Sequence, residues 1–225
     1  MCGRFQLSVK GKEISERFNV EVFDDMYSPS FNCAPSQKLP VITNSNPAEL
    51  SFFQWGLIPP WAKDPKIGFK LINTRSETIQ QKPSFKKAFE QRRCLIPANA
   101  FFEWRKSDKA PFRIFLKKEP IFAMAGIWET WFDAEQRALH TFSIITTEAN
   151  STIKHIHSRM PVILSKQNEE VWLMDNNFQH LTKLLKPVDD SMLDMYPVSK
   201  KINSPVNNSP ELIYPINIET QGTLF

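Results

Sequence analysis

Apolar positions along this chain fall mainly in short alternating runs, the pattern of strands that bury one face. Pro40–Thr43, Leu50–Trp55, Cys94–Ile96, Phe101–Trp104, Phe112–Leu116, Ile121–Trp131 and Thr141–Thr146 are the strands so predicted, with Met192–Val198 as a last one. Helical spacing is confined to a few short stretches. Lys12–Phe18 carries Ile14 and Phe18; Ser84–Gln91 carries Phe85, Ala88 and Phe89 behind Ser84 as a cap. Ser165–Met174 sets Val171, Trp172 and Met174 behind Ser165 and Glu169, and Phe178–Leu185 follows as another helix. Ser151–Ile156 fits one further short turn of helix. Ile58-Pro59-Pro60-Trp61 is an extended loop, because a residue before proline is pushed out of the α region. Beyond Asn203 the chain turns Pro-, Asn- and Ser-rich, and residues from about 204 to 225 read as a loosely ordered tail. With no internal repeat or long linker, the pattern predicts one β-rich α+β domain over residues 1–225.

Composition sharpens this picture. Seventeen prolines against six glycines favour many short elements joined by fixed turns. No apolar run approaches the roughly 18–20 residues that cross a bilayer, and no apolar segment follows the first residues as a secretory signal requires. A cytosolic or nuclear site is therefore expected. Cys2, Cys33 and Cys94 are too few and too widely spaced for a disulfide framework or a zinc ligand set. Cys33 and Cys94 lie in apolar surroundings and read as inert core residues. A formal charge of +4 permits a nucleic-acid partner without demanding one.

Candidate chemistry begins at Met1-Cys2-Gly3-Arg4. A small residue at position 2 lets the initiator methionine be trimmed, which leaves Cys2 as a free terminus. Such a cysteine holds an amine (reference pKa about 7.7–8.0) and a thiol (about 8.5) on adjacent carbons. The amine condenses with an aldehyde and the thiol then closes a five-membered thiazolidine, a sequence barred to any internal cysteine. Glu103 lies among aromatics in Ala100-Phe101-Phe102-Glu103-Trp104. It either faces solvent from a half-buried strand or is buried, with its pKa raised toward general acid/base use. His157 precedes Arg159-Met160-Pro161; His155 and His157 could ligate a metal, but no Asp, Glu or Cys stands at a suitable spacing, so no metal and no cofactor are expected. Arg4, Arg75 and Arg159 each adjoin a polar candidate and together would make an anion clamp suited to phosphates. Lys86-Lys87 and Gln91-Arg92-Arg93 read instead as the wet side of an amphipathic helix. Trp61, on its proline loop, is a stacking platform for a base or a core filler, and Trp55 reads rather as core.

These clusters, taken in order, resemble the SOS response-associated peptidase (SRAP) family. The resemblance rests on Met-Cys-Gly-Arg at 1–4, Asn32-Cys33-Ala34-Pro35, Trp55-Gly56-Leu57-Ile58-Pro59-Pro60-Trp61, Asn73-Thr74-Arg75-Ser76-Glu77, the stretch Arg92 to Trp104, Thr146-Thr147-Glu148-Ala149-Asn150, and His157-Ser158-Arg159-Met160-Pro161. It covers nearly the whole chain and is closest in character to a bacterial-type member without an extension. It implies a single SRAP domain of mostly antiparallel strands with flanking short helices, and a covalent trap for abasic sites in single-stranded DNA. Cys2 would be the crosslinking nucleophile, with Asn73, Glu103 and His157 around it and Arg4, Trp61, Arg75 and Arg159 on the DNA. A lyase side reaction, a peptidase activity that removes Met1, and a monomeric state go with this reading.

Two other classes compete. N-terminal-nucleophile glutamine amidotransferases also begin Cys-Gly after methionine loss, though the remaining motifs do not match their glutamine-binding segments. A non-covalent single-strand binding module would use only the arginines and Trp61, and gives Glu103 and His157 no task.

Overall fold

The two longest strands pair with each other. In the computed structural model, which describes residues 2–23 and 25–217, the strands are β1 Phe5–Leu7, β2 Ser30–Cys33, β3 Lys38–Thr43, β4 Asn46–Trp55, β5 Asn73–Arg75, β6 Arg93–Ala98, β7 Ala100–Trp104, β8 Pro111–Leu116, β9 Phe122–Phe132, β10 Ala138–Glu148, β11 Arg159–Pro161, β12 Ile163–Leu164 and β13 Leu193–Pro197. The helices are α1 Gly11–Phe18, α2 Pro83–Gln91, α3 Lys166–Met174 and α4 Phe178–Leu184. The chain is thus a mixed α+β domain, as its patterning predicts.

Pairings run β10-β4-β3-β6-β9, and β9 pairs back onto β10, so these strands close a ring. Closure removes the exposed edges that open sheets must protect. At Gly126 of β9 an added Cβ would lie 2.2 Å from Ile96 Cδ1 and 2.9 Å from Cys94 Sγ, so only glycine lets β6 side chains fill the interior there. Alongside lies a second sheet in the order β13-β8-β7-β1-β2. Phe5, Phe101, Ile114 and Leu193 from this sheet join the barrel side chains in one large core, while Phe102, Val198, Ile202 and Leu212 form a small core on its other face.

Several local expectations are revised. α2 begins at Pro83, whose fixed φ suits the first helical position, with Lys82 rather than Ser84 at the cap. Ser165 holds the cap position of α3 without making a side-chain capping bond. Residues 151–156 form turns rather than a helix. Arg93 is not on a wet face: it is 1% exposed and donates to the carbonyls of Phe89, Glu90, Trp172, Leu173 and Asp175 at 2.6–3.2 Å. A cation at the ends of two helices satisfies carbonyls that lack intrahelical partners and meets the negative ends of both helix dipoles. Arg92 pairs with Glu129 at 2.8 Å, while Lys86, Lys87 and Gln91 are exposed as expected.

The packed chain also extends beyond the point where a tail was expected. Lys200–Asn203 and Pro210–Ile213 form 3-10 turns, and Ile202 and Leu212 are wholly buried. The remainder of that expected tail, 218–225, lies outside the described residues. Among the described residues no helix is long and apolar enough to cross a membrane.

Candidate functional site

Cys2 stands immediately before β1, and the placement of β1 decides what surrounds it. This three-residue strand is inserted between β2 and β7, with Phe5 opposite both Cys33 and Phe101. Phe102 N–H donates to Arg4 O at 3.0 Å, which carries the ladder toward the terminus and brings Gly3 level with Glu103. Cys2 is fully buried, its thiol 3.7 Å from Arg4 O. Burial pushes that thiol far above its ordinary range, with the nearby Glu103 carboxylate adding to the effect.

Glu103 is on the inward side of β7. Side chains alternate along a strand, so Phe102 and Trp104 face the small core while Phe101 and Glu103 face the large one. Its exposure of 2% decides between the two sequence readings in favour of a buried carboxyl. Desolvation raises its pKa from an ordinary 4.5 to about 7. His157 Nδ1 lies 3.9 Å from Glu103 Oε1 and accepts the Arg159 backbone N–H at 3.0 Å. Burial, with help from the charges of Lys106 and Arg159, holds the imidazole pKa below its usual value.

Asn73 enters from β5, which runs parallel to β10 with Asn73 level with Ile144. Its Nδ2 donates to Cys2 O at 2.8 Å, inside the protein. Its Oδ1 is buried and, among the described residues, unpartnered. On the far end of β10, β11 places Arg159 opposite Glu148. One strand therefore aligns the segments that carry Asn73, Arg75 and Arg159.

The arginines are not equivalent. Arg75 is exposed. Arg4 is half-buried, its Nη2 held by Asn203 O at 2.8 Å. Arg159 makes a two-pronged ion pair with Glu77 at 2.6 and 3.0 Å and donates to Thr146 O at 2.6 Å, so its terminal nitrogens are committed. Trp61 is 59% exposed on a loop pinned at both ends, by Ile58 N–H on Thr141 Oγ1 and by Trp131 Nε1 on Ala62 O. Gly56, at φ +124°, lets the loop start against Gly68. Trp55 is core, its indole N–H on Ile72 O at 2.9 Å.

Cys2, Asn73, Glu103 and His157, drawn from four separate segments, thus form one cluster, its first three members buried and His157 half-buried, with Arg4 and Arg159 beside it, while Arg75 and Trp61 are exposed. Glu77, Lys106 and Asn203 join it without having been singled out individually. Glu77 stood within a quoted motif, whereas nothing local marks Lys106 or Asn203.

A β-barrel domain whose second residue is a buried cysteine, with an amide on its carbonyl and a carboxyl–imidazole pair beside it, defines a class of protein that gathers polar side chains around the start of its chain. The family profile described as SOS response associated peptidase (SRAP) matches residues 1–205. The chain belongs to that family. It is 48% identical over 221 residues to the abasic site processing protein YoqW of Bacillus subtilis, covering 95% of this chain and 99% of that one. To the abasic site processing protein HMCES of Rattus norvegicus it is 31% identical, over 86% of this chain and 67% of that one. A crystal structure of a Bacteroides thetaiotaomicron protein superimposes with a TM-score of 0.88 at 32% identity, covering 96% of this chain and all of that one.

Proposed function

We propose that this protein processes abasic sites in single-stranded DNA by linking itself to them through Cys2. The observation that supports the reading is the cluster in which the buried Asn73 and Glu103 and the half-buried His157 gather at the buried Cys2. Removal of Met1, by the protein itself or by a housekeeping aminopeptidase, frees the α-amine. The amine adds to the C1′ aldehyde of the ring-opened sugar to give a carbinolamine. Glu103, near 7 and therefore able to give and take a proton at neutrality, protonates the departing hydroxyl; water leaves and an imine remains.

The order of steps follows from the thiol. Because burial keeps Cys2 Sγ protonated, the amine reacts first and the thiol second. The sulfur then bonds to the imine carbon while its proton passes to the nitrogen, and the thiazolidine closes with one water lost overall. Asn73 holds the Cys2 carbonyl, and its spare Oδ1 is placed to accept from the freed amine or the opened sugar. The imine also acidifies the C2′ proton, so strand cleavage by β-elimination is a side branch in which His157 serves as proton acceptor or donor.

Single strands suit this surface better than duplex. Trp61 on a stiff loop offers a face to a splayed base, and Arg4, Arg75 and Arg159 offer charge to the backbone, Arg159 while still paired with Glu77. The protein acts as a cytoplasmic monomer in this reading. Intact mass before and after mixing with an abasic single-stranded oligonucleotide tests it. A denaturation-resistant adduct at the summed mass minus one water is expected from protein lacking Met1. Adduct formation by protein that retains Met1, or none by processed protein, overturns it. Glutamine hydrolysis by the processed protein without DNA adducts would favour an amidotransferase instead.

A further inference from the structure

Asn32, in the Asn32-Cys33-Ala34-Pro35 motif, has no part in the chemistry above, yet it is 1% exposed at the end of a chain of contacts that reaches the site. Its Nδ2 donates to Ser204 O and Asn207 O, each at 2.9 Å, and more distantly to Ile202 O at 3.3 Å. Asn207 Nδ2 closes the same loop onto Lys201 O at 2.7 Å, and the neighbouring Asn208 Oδ1 accepts Phe31 N–H at 2.7 Å. The segment so gripped presents Asn203 in two directions. Asn203 O accepts Arg4 Nη2 and Asn203 Oδ1 accepts Trp104 Nε1, both at 2.8 Å.

Arg4 is two residues from Cys2, and Trp104 adjoins Glu103. We infer that Asn32 is a positioning residue for the Cys2 site: it clasps residues 202–207, so that Asn203 fixes Arg4, in the segment that leads from Cys2 into β1, against β7, which bears Glu103. The clasp costs something that packing alone would not retain. Asn32 Oδ1 is buried without a partner among the described residues, a loss an apolar side chain would avoid. Only a planar amide with two N–H groups reaches several carbonyls of one loop at once.

The inference deepens the crosslinking reading and rests on it for its kinetic consequence, but its structural consequence stands separately. If the clasp keeps the Glu103 strand seated, loosening it admits water to a carboxyl whose raised pKa comes from burial. Among the described residues, the titratable groups facing that carboxyl are His157 at 3.9 Å and the Cys2 thiol, with Lys106 and Arg159 acting on His157; the positive charge of the chain's α-amine opposes the rise that burial causes.

Asn32→Ala and Trp104→Phe, singly and together, test the inference. Trp104→Phe deletes one exposed hydrogen bond and keeps an aromatic ring against the small core, so it folds even where Asn32→Ala does not. Each variant should slow crosslinking at saturating abasic oligonucleotide, by up to about tenfold for one lost hydrogen bond of ordinary strength. The double variant should be no slower than Asn32→Ala, since the Asn203–Trp104 bond is already lost once the loop is free. Without DNA, the change in unfolding midpoint between pH 4.5 and 8 should shrink in Asn32→Ala and Trp104→Phe relative to the parent. An unchanged pH step with parental crosslinking, or strictly additive effects in the double variant, overturns the clasp and leaves the crosslinking reading intact. A parent that forms no adduct sinks the crosslinking reading, and the pH step then decides the clasp by itself.

Discussion

Replacing Glu103 by Gln should make the protein more stable and less active at neutral pH. Burial lifts the carboxyl from 4.5 to about 7. At about 1.4 kcal/mol for each pH unit, that gap amounts to roughly 3 kcal/mol. The sign follows from where the proton sits. Below about 4.5 the carboxyl is protonated in the folded and the unfolded chain alike, and its contribution is fully present. Between about 4.5 and 7 only the folded chain keeps the proton, so unfolding releases it and stability falls as the pH rises. Above about 7 the loss is complete, because a charged carboxylate then sits at 2% exposure. Glutamine keeps the shape and carries no such proton. Urea unfolding of parent and Glu103→Gln from pH 4 to 8.5 should therefore give curves that meet near pH 4 and diverge by roughly 3 kcal/mol at pH 8, with Gln the more stable. Groups such as His157 titrate in both proteins and largely cancel in the difference. Crosslinking should move the other way, slowing by about 10²–10⁴ if Glu103 supplies general acid/base catalysis. Parallel stability curves across the whole range would refute the argument, because they would mean that Glu103 has no perturbed proton to lose.

Mature protein should lack Met1 by mass spectrometry, and Cys2→Ala should form no adduct that survives heating without borohydride, while its free amine still gives borohydride-trapped product and strand cleavage. A heat-stable, borohydride-independent adduct from that variant would identify another nucleophile. Arg75→Ala should weaken capture of single strands and flatten the salt dependence by about 0.7 on a log–log plot, as the loss of one phosphate contact requires. Arg159→Ala should in addition destabilise the fold by about 1–2 kcal/mol, since Glu77 and Thr146 lose a charged donor at a partly exposed position; equal unfolding curves for Arg75→Ala and Arg159→Ala would contradict this distinction. Arg93→Met should cost about 3 kcal/mol or more in urea unfolding, because it strands helix-end carbonyls in the core; a loss below about 1 kcal/mol would show that water replaces the guanidinium.

Among particular elements, those whose period reports burial were legible from residues alone. The runs at 112–116, 121–131 and 141–146 became β8, β9 and β10, and Ile14 and Phe18 marked α1. The shortest strands escaped notice: β1, β2, β5, β11 and β12 have two to four residues each, too few for a period to show. Three of those deliver or adjoin Cys2, Asn73, Arg75 and Arg159. They stay extended because β10, β7 and their neighbours pair with them, which is a property of the assembled sheet. The chemistry-bearing residues nevertheless stood out, since polar groups held within apolar or turn-like segments are conspicuous whatever strand they join.

By itself the sequence determined an α+β domain, the chemical capacity of a cysteine at position 2, and the motifs that place the chain among SRAP proteins. Only the tertiary structure decided which charges are spent inside the molecule. Arg93 looked solvated and is buried against helix ends, Arg159 looked free for phosphate and is paired with Glu77, and Glu103 could have faced either way until β7 was covered on both sides. The physical reason is that a side chain's type fixes what it can bond, whereas burial and partners fix its pKa and availability, and many of these come from distant segments, as Asn73 does to Cys2 and Asn203 to Arg4.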